Sequence, residues 1–372
     1  MTTAERAHAL AAACSGFEHL LGPASQEGFL EWVRLELSHE AVLDGLQRIG
    51  AEFLRAIPPR VILHIVSGNT PHAALQSLIR GLLLGSHNLC KLPSEGLPVA
   101  EAFVAGLPEA LRSRVELSAA RPETWLAAAD AIIVFGSDET VAHFRKLALP
   151  DQTFLGYGHR VSLGIVFEDA GFESAPRAAL DASLFDQQGC LSPHCIYVAD
   201  RPEEYAARLA VEMECVQRTL PRSKLILSEA AAISEIRETS RFRAAAGQDV
   251  RLWEGEAWTV IFDADPVFSA SVLNRVIFVR PLPDDLATAL ALARPFLSTI
   301  AIWPNTQRFA EQSAALGASR VCALGRMQEP AWTWRQDGRQ TLAPLVSWRG
   351  WEPECTQKTS GSCYSGSVVH NR

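Results

Sequence analysis

The sequence predicts an α/β protein in which a doubly wound parallel sheet is followed by a second α/β domain. Two observations predict this fold class: short apolar runs alternate with helical patterns, and the chain is long, with 372 residues of which 48% are hydrophobic. Unbroken apolar runs are typical of strands buried on both faces, and strands that alternate with helices form parallel sheets. A chain of this length is expected to form two domains rather than one.

The predicted elements of the first domain, residues 1–160, follow from periodicity and from proline positions. Residues 1 to about 57 carry apolar side chains at helical spacing and are predicted to be mostly helical, up to Pro58-Pro59. Strands are then predicted at 61–66, 88–92, 115–117 and 131–135. Helices are predicted at 71–84 and 97–112, and a third begins at Asp138.

The second domain is predicted over 161–329. Its strands are predicted at 161–167, 195–198, 258–262, 276–279 and 297–302, and its helices near 202–219, 228–246 and 284–294. In residues 330–352, four tryptophans surround an Asp337-Gly338 turn, a pattern typical of a hairpin. Residues 353–372 are predicted to be a flexible tail, because they are rich in Ser, Gly and Thr from Thr356 onward.

Composition and charge exclude several classes of protein. A net charge of -8 and a pI near 5.7 argue against a nucleic-acid partner, since such proteins usually carry a basic surface. No apolar stretch approaches the length of a membrane span. The 8 cysteines show neither zinc-ligand spacing nor the density of a disulfide scaffold. These features predict a cytoplasmic protein without a bound metal.

Cys190 is the strongest candidate for a reactive residue. It lies in the polar, turn-prone segment 185–194, directly ahead of the apolar run 195–198, and is flanked by Gly189 and Pro193. A structural cysteine would lie inside such a run, whereas a thiolate at its start can meet a ligand as a nucleophile. The ordinary alternative is that Cys190 is a small apolar core residue, as most free cysteines are.

Several polar or small residues fall at the carboxyl ends of the predicted strands, where doubly wound sheets bind ligands. These residues are Asn69, Lys91, Ser94, Gly136 and Ser137. Turn and cap chemistry is the alternative explanation for Asn69, Gly136 and Ser137. The chain lacks the G-x-G-x-x-G turn that binds a pyrophosphate, and Asp138 and Glu139 would repel a phosphate at the next helix. A dinucleotide here would have to bind in another way.

Five motifs occur in the order and spacing of the aldehyde dehydrogenase superfamily. They are Ser67-Gly68-Asn69-Thr70-Pro71, Lys91-Leu92-Pro93-Ser94-Glu95, Phe135-Gly136-Ser137, Leu155-Gly156-Tyr157-Gly158-His159-Arg160 and Gln187-Gln188-Gly189-Cys190. Within it, the chain most resembles the fatty acyl-CoA reductases of bacterial bioluminescence operons, through residues 187–194, 334–338 and 345–348. The resemblance covers most of residues 60 to 350.

This resemblance implies an aldehyde dehydrogenase-like fold, with a nicotinamide dinucleotide-binding domain over 1–160 and a catalytic domain over 161–329. The implied cofactor is NADPH, with NADH as the alternative. Cys190 would be the nucleophile, and Asn69 the side-chain donor to the oxyanion. The implied cofactor-binding residues are Ser67, Lys91, Ser94, Glu95, Gly136 and Ser137.

His159 and His194 are the nearby groups that would tune the thiolate or protonate the product oxygen, with a plain structural role as the alternative for each. Late strands of the superfamily often pair subunits, so we expect a homo-oligomer in which the hairpin over 331–352 makes the contact. The alternative is a hairpin within one chain.

Two departures from the superfamily pattern matter. Leu92 intervenes between Lys91 and Pro93, and a shift by one residue would turn Lys91 to the other face of its strand unless a bulge corrects it. Gly156 stands where aldehyde-oxidising members have the glutamate that activates water. Without that base, hydrolysis of an acyl-enzyme should be slow.

The sequence therefore predicts reduction of an acyl thioester, carried by CoA or by an acyl carrier protein, to an aldehyde through a Cys190 thioester. Two alternatives stay open. One is an aldehyde or semialdehyde dehydrogenase of the same superfamily that acts on another carbonyl substrate. The other is a non-catalytic scaffold subunit.

Overall fold

The computed structural model describes residues 1–68, 71–120 and 123–353. The predicted tail, apart from residue 353, lies outside the described residues. The helices are α1 Thr3–Ala13, α2 Glu18–Leu21, α3 Gln26–Leu37, α4 Pro71–Leu84, α5 Pro98–Gly106, α6 Glu109–Arg112, α7 Glu123–Ala128, α8 Asp138–Leu147, α9 Ala175–Ser183, α10 Pro202–Thr219, α11 Leu227–Ala245, α12 Leu286–Ala289 and α13 Gln307–Ala314. Short 3₁₀ segments lie at Leu184–Gln187, Arg294–Phe296, Gln336–Gly338 and Ala343–Leu345.

The strands form three sheets. They are β1 Gln47–Ile49, β2 Glu52–Ile57, β3 Val61–Ile65, β4 His87–Lys91, β5 Val115–Ser118, β6 Ala131–Phe135, β7 Thr153–Tyr157, β8 Val161–Val166, β9 Pro193–Val198, β10 Val250–Glu254, β11 Thr259–Asp263, β12 Val276–Pro281, β13 Leu297–Trp303, β14 Arg320–Ala323 and β15 Ser347–Trp351.

The first sheet is parallel, with strand order β5-β4-β3-β6-β7. Its two faces bury alternate residues of the same strands. On one face, Ile62 and Ile133 pack with the apolar side of α4; on the other, Leu63 and Ile132 pack with side chains of α7 and α8. Because every strand ends at the same edge, the segments after β3, β4 and β6 meet there, as expected for a doubly wound sheet.

The second sheet has strand order β10-β11-β12-β9-β8-β13-β14 and is parallel except for the edge strand β10. Helices α9 and α10 cover one face, where Tyr205 and Leu209 pack on Ile196. The other face, which contains Cys195, is covered by side chains of α11, α12 and α13. Two mainly parallel sheets with helices on both faces confirm the predicted α/β fold class.

The third sheet corrects two predictions. Its order is β1-β2-β15, so the helical prediction for residues 1–57 is wrong from Gln47 onward. The hairpin predicted over 331–352 is also wrong, because β15 pairs antiparallel with β2, with Trp351 opposite Phe53. The partner strands are far apart in sequence, and periodicity within one segment cannot reveal such a pairing.

Two helix predictions are too long. The helix predicted over 97–112 is interrupted at Leu107-Pro108 and continues as the short α6, since proline cannot donate the helical hydrogen bond. The helix predicted over 284–294 is reduced to the single turn α12, capped by Asp285, and a separate 3₁₀ turn. In the described part of the chain, no helix has both the length and the apolarity needed to cross a bilayer.

Candidate active site

A cavity of about 1340 Å³ joins the carboxyl edge of the first sheet to the loop ahead of β9. Sites for small molecules usually enclose about 300–1,000 Å³, so this cavity has room for an extended ligand and a second reactant. It is lined by most of the predicted site residues: Ser67, Lys91, Ser94, Gly136, Ser137, His159, Cys190 and His194. Asn69, the predicted oxyanion donor, lies outside the described residues. The fold thus brings Cys190, the candidate nucleophile, and most candidate cofactor residues to one cavity.

Glu95 is not part of this group. Its side chain is exposed and is not in the cavity wall. The chain turns back at this point, where Gly96, at a φ of +78°, donates its backbone N–H to the carbonyl of Pro93. The turn leaves Glu95 in solvent, and its predicted role in cofactor binding stays a prediction.

The loop that carries Cys190 has an unusual backbone. Phe185, Asp186 and Gln187 are consecutive non-glycine residues in the left-handed region, with φ values of 51°, 51° and 63°. Side chains with a Cβ disfavour this region, and each such residue costs of order 1–3 kcal/mol unless its surroundings hold it. The loop therefore needs tertiary contacts, and the structure supplies them.

A second left-handed stretch faces this loop. Leu273, Asn274 and Arg275 also have positive φ values. Asp186 pairs with Arg275 at 2.6 Å, and the amide of Gln188 donates to Asn274 Oδ1 at 2.9 Å. We call residues 185–188 and 273–275 the paired turns. Their contacts fix the start of the nucleophile loop before any ligand arrives.

Further hydrogen bonds hold both ends of the loop. The amide of Gln187 donates to the carbonyls of Pro193 and Val276, at 2.7 and 2.8 Å. Ser162 Oγ, on β8, donates to the carbonyl of Cys190 at 2.7 Å. The position of Cys190 is thus set by three different strands of the second sheet.

The Cys190 thiol is exposed to the cavity, but protein surrounds it on its other sides. This loss of solvation, together with the charge of Asp337, raises the pKa of Cys190 to about 11. The backbone N–H of Cys190 and the Arg160 guanidinium act in the opposite direction. In this state the thiol is protonated at neutral pH, so nucleophilic attack requires a proton acceptor.

His194 is a neutral hydrogen-bond donor at the cavity. Burial, followed by the nearby His159, lowers the pKa of His194 to about 4. Its Nδ1 accepts the backbone N–H of Ser271 at 3.1 Å, so the ring proton is on Nε2. His159 lies in the same wall, and its backbone N–H donates to Asp138 Oδ1 at 2.8 Å. The structure brings both predicted histidines to the cavity of Cys190.

Sequence reasoning missed the segment 334–339. Trp334, Gln336 and Asp337 line the cavity, although the sequence analysis placed them in a hairpin turn. Asp337 Oδ2 lies 2.8 Å from Arg160 Nη2, and Arg339 Nη2 donates to the carbonyl of Gly156 at 2.9 Å. The available signal was the resemblance itself, since 334–338 and the cysteine motif both carry it.

Buried His72, at the start of α4, also lines the cavity and was not predicted. Burial lowers its pKa to about 4, and its ring centroid lies 4.9 Å from that of Phe185. It therefore adds a neutral, largely apolar surface beside the nucleophile loop.

The other end of the cavity fits an extended dinucleotide. Lys91 lines it, and Leu92 is buried in the core instead, so the inserted residue does not remove Lys91 from the site. Leu126, Phe144 and Leu147, from α7 and α8, form an apolar wall suited to a nucleobase. Asp138 accepts a hydrogen bond from the His159 backbone N–H. This hydrogen bond offsets part of the negative charge that was expected to repel a phosphate.

Gly156 has no space for a side chain. A Cβ built there would lie 2.5 Å from Val141 Cγ1 and 3.0 Å from Phe154 Cε1. A glutamate would force both neighbours to move, so this backbone does not present a water-activating base at that position. Among the described residues, no group of three or more His, Cys, Asp or Glu side chains is arranged to hold a metal ion.

Comparison with known proteins identifies relatives of this chain. The model of the family described as Acyl-CoA reductase (LuxC) matches residues 4–348. A long-chain acyl-protein thioester reductase of Aliivibrio fischeri is 24% identical over 324 residues, which cover 81% of this chain and 66% of the relative. That of Photorhabdus luminescens is 24% identical over 348 residues, covering 87% and 70%. The chain therefore spans about two thirds of the length of these relatives.

Solved structures show the same fold at low sequence identity. A gamma-glutamyl-gamma-aminobutyraldehyde dehydrogenase from Burkholderia cenocepacia has a TM-score of 0.66 and 17% identity, and the match covers 94% of this chain and 84% of that one. The chain thus has the aldehyde dehydrogenase-like fold that the sequence predicts.

Proposed function

This chain belongs to the acyl-CoA reductase (LuxC) family, and from that premise we propose that it reduces an acyl thioester to an aldehyde through a covalent Cys190 thioester. One observation carries the proposal: Cys190 lies in the wall of a cavity whose other end is formed by the carboxyl edge of a doubly wound sheet. A nucleophile and a cofactor site that share one cavity suit a reaction in which an acyl group is bound covalently to sulfur and is then reduced.

The residues of the chain have distinct tasks in this proposal. Cys190 Sγ attacks the thioester carbonyl carbon, and the carrier thiol leaves. The backbone N–H of Cys190 and the neutral Nε2–H of His194 are donors available to the developing oxyanion. Lys91, Gly136 and Ser137 at the edge of the first sheet would hold a nicotinamide cofactor, which would supply the hydride for the acyl carbon. The hemithioacetal oxyanion then expels Cys190 and gives the aldehyde.

Gly156 supports reduction over oxidation. An enzyme that hydrolyses the thioester needs a base to activate water, and no side chain is accommodated at this position. A base at position 156 therefore does not compete with hydride for the acyl-enzyme. The same feature argues against the alternative of an aldehyde or semialdehyde dehydrogenase.

For the substrate, we propose a long-chain acyl thioester, carried either by CoA or by a protein. The family description specifies acyl-CoA, whereas the two relatives are described as acyl-protein thioester reductases. For the cofactor we propose NADPH, with NADH as the alternative, because Lys91 is a cation in the wall that would favour an additional phosphate.

The test is intact-mass analysis after incubation with dodecanoyl-CoA or dodecanoyl-acyl carrier protein, without NADPH. We expect the wild type to gain one acyl group and to lose it, with release of aldehyde, when NADPH is added. Cys190→Ala should gain none. Cys215→Ala is the matched control, because Cys215 is an exposed cysteine on α10 that does not line the cavity. Equal acylation of Cys190→Ala and wild type would refute the covalent mechanism.

A further inference from the structure

The mechanism leaves one question open: which group takes the proton of the Cys190 thiol. His194 is unsuited, since its neutral ring uses Nδ1 to accept the Ser271 N–H and presents only a donor, Nε2–H. Another group must accept the proton while the thiol attacks. A carboxylate in the wall of the cavity can accept this proton.

Asp337 is a buried carboxylate in that wall. Its side chain is 6% exposed, and it lies in the cavity lining together with Cys190. In the described part of the chain no donor makes an aligned hydrogen bond to its Oδ2, although Arg160 Nη2 is 2.8 Å away. An acceptor oxygen that is buried and incompletely satisfied is costly unless it has a function.

The backbone conformation at Asp337 is also unusual. Its φ is 55°, inside the 3₁₀ turn Gln336–Gly338, although it is not a glycine. Two residues later, Arg339 donates to the carbonyl of Gly156 and lies over the Tyr157 ring, which anchors the turn against β7. Non-glycine residues in this conformation concentrate at functional sites.

We propose that Asp337 accepts the proton of the Cys190 thiol during acyl transfer and returns it to the departing carrier thiol. This role rests on the proposed function. The Cys190 S–H bond breaks as the bond from sulfur to the acyl carbon forms. The carrier C–S bond then breaks, and its thiolate takes the proton from Asp337. No oxidant or reductant is involved in this half-reaction.

Arg160 can compensate the negative charge in the site both before and after the proton transfer. Before attack, its guanidinium pairs with ionised Asp337. After the transfer, Asp337 is neutral and the negative charge is on the substrate oxygen, in a cavity that Arg160 also lines. Arg160 thus lies near the negative charge in both positions, and Arg339 Nη2, 3.6 Å from Asp337 Oδ2, is a second cation beside the carboxylate.

The experiment compares two reactions of Cys190 in Asp337→Asn. The first is acylation by dodecanoyl-CoA and by dodecanoyl-acyl carrier protein without NADPH, followed by intact mass. The second is alkylation by iodoacetamide, which needs the thiolate but no relay to a leaving thiol. We expect acylation at least about 100-fold slower than in the wild type, in the range for loss of a general base. Alkylation should be unchanged or faster, because the charge of Asp337 disfavours the thiolate.

Two further variants complete the test. Asp337→Glu restores a carboxylate and should recover part of the acylation rate. Asp263→Asn is the matched control, since Asp263 is 3% exposed and pairs with Arg243 and Arg280 away from the cavity. It should lose stability but acylate normally.

Three results would overturn the proposal. Acylation of Asp337→Asn at the wild-type rate excludes the relay. A parallel loss of acylation and alkylation means that Asp337 only shapes the loop. If the wild type itself is acylated by neither donor, the proposed function fails as well, and this outcome is distinct from the other two.

Discussion

Cys190 and Cys195 occupy neighbouring segments of the second domain but very different environments. Cys190 ends a loop with left-handed backbone and is exposed to the cavity, whereas Cys195 is fully buried in β9 between strands β8 and β12. Burial raises the pKa of Cys195 to about 12, and no ligand reaches it. The comparison teaches that an interruption of regular structure, held by tertiary contacts, distinguishes a candidate nucleophile from a core residue of the same type.

The largest effect should come from exchanging the two cysteines for alanine in turn. Cys190→Ala should lower the rate of acyl-CoA-dependent NADPH oxidation by about 1,000-fold or more, as loss of a nucleophile does. Cys195→Ala should retain activity within about threefold and lose about 1–2 kcal/mol of unfolding free energy, since it removes a buried sulfur. Urea unfolding measures the second quantity. If Cys195→Ala lost the activity instead, the contrast between loop and strand would be wrong.

The next effect concerns the paired turns. Asp186→Asn leaves Arg275, which is 2% exposed, with a buried charge that has lost its carboxylate. We expect unfolding free energy to fall by about 3 kcal/mol. Acylation of the folded protein should also slow, because the loop is less well fixed. A variant that is destabilised but acylates at the wild-type rate would show that the paired turns serve stability alone.

The smallest expected effect concerns His194 on strand β9. His194 has a lowered pKa in the folded protein, so the unfolded chain binds a proton more readily between about pH 6.5 and 4, and stability falls as pH falls through that window. With a folded pKa of about 4, His194 contributes about 1 kcal/mol of acid destabilisation at pH 5.5. Buried His64 and His72 have pKa values lowered in the same way.

His194→Gln isolates this contribution. It removes one titrating group of the three and should flatten the pH dependence of unfolding free energy, measured by urea titration between pH 7 and 5. An unchanged slope would mean that folding does not lower the pKa of His194, which contradicts a neutral ring whose Nδ1 accepts the Ser271 N–H.

Much of the fold could be predicted because the information is local. Runs such as Ala131–Phe135 are apolar at every position, which only a strand buried on both faces requires, and the predicted helix over 202–219 matches α10. The failures are non-local. Phe53 and Leu54 look helical by spacing, but they belong to β2, whose partner β15 lies at the other end of the described chain.

The candidate site divides in the same way. Cys190 could be predicted because its own segment marks it, through flanking Gly189 and Pro193. Asp337 could not, because its proximity to Cys190 depends on how residues 334–339 pack against β7. Left-handed Phe185 and Arg275 are equally invisible to sequence patterns, since neither residue type favours that backbone. Subunit contacts, localisation and the domain boundaries stay predictions.

The paired turns carry a consequence for the ancestry and engineering of this chain. Asp186 and Arg275 form an ion pair that joins the two halves, so we expect relatives to vary at these two positions together. A designer who transplants the nucleophile loop into another scaffold must transfer residues 273–275 with it. Two distant segments of the chain, rather than one motif, therefore hold Cys190 in place.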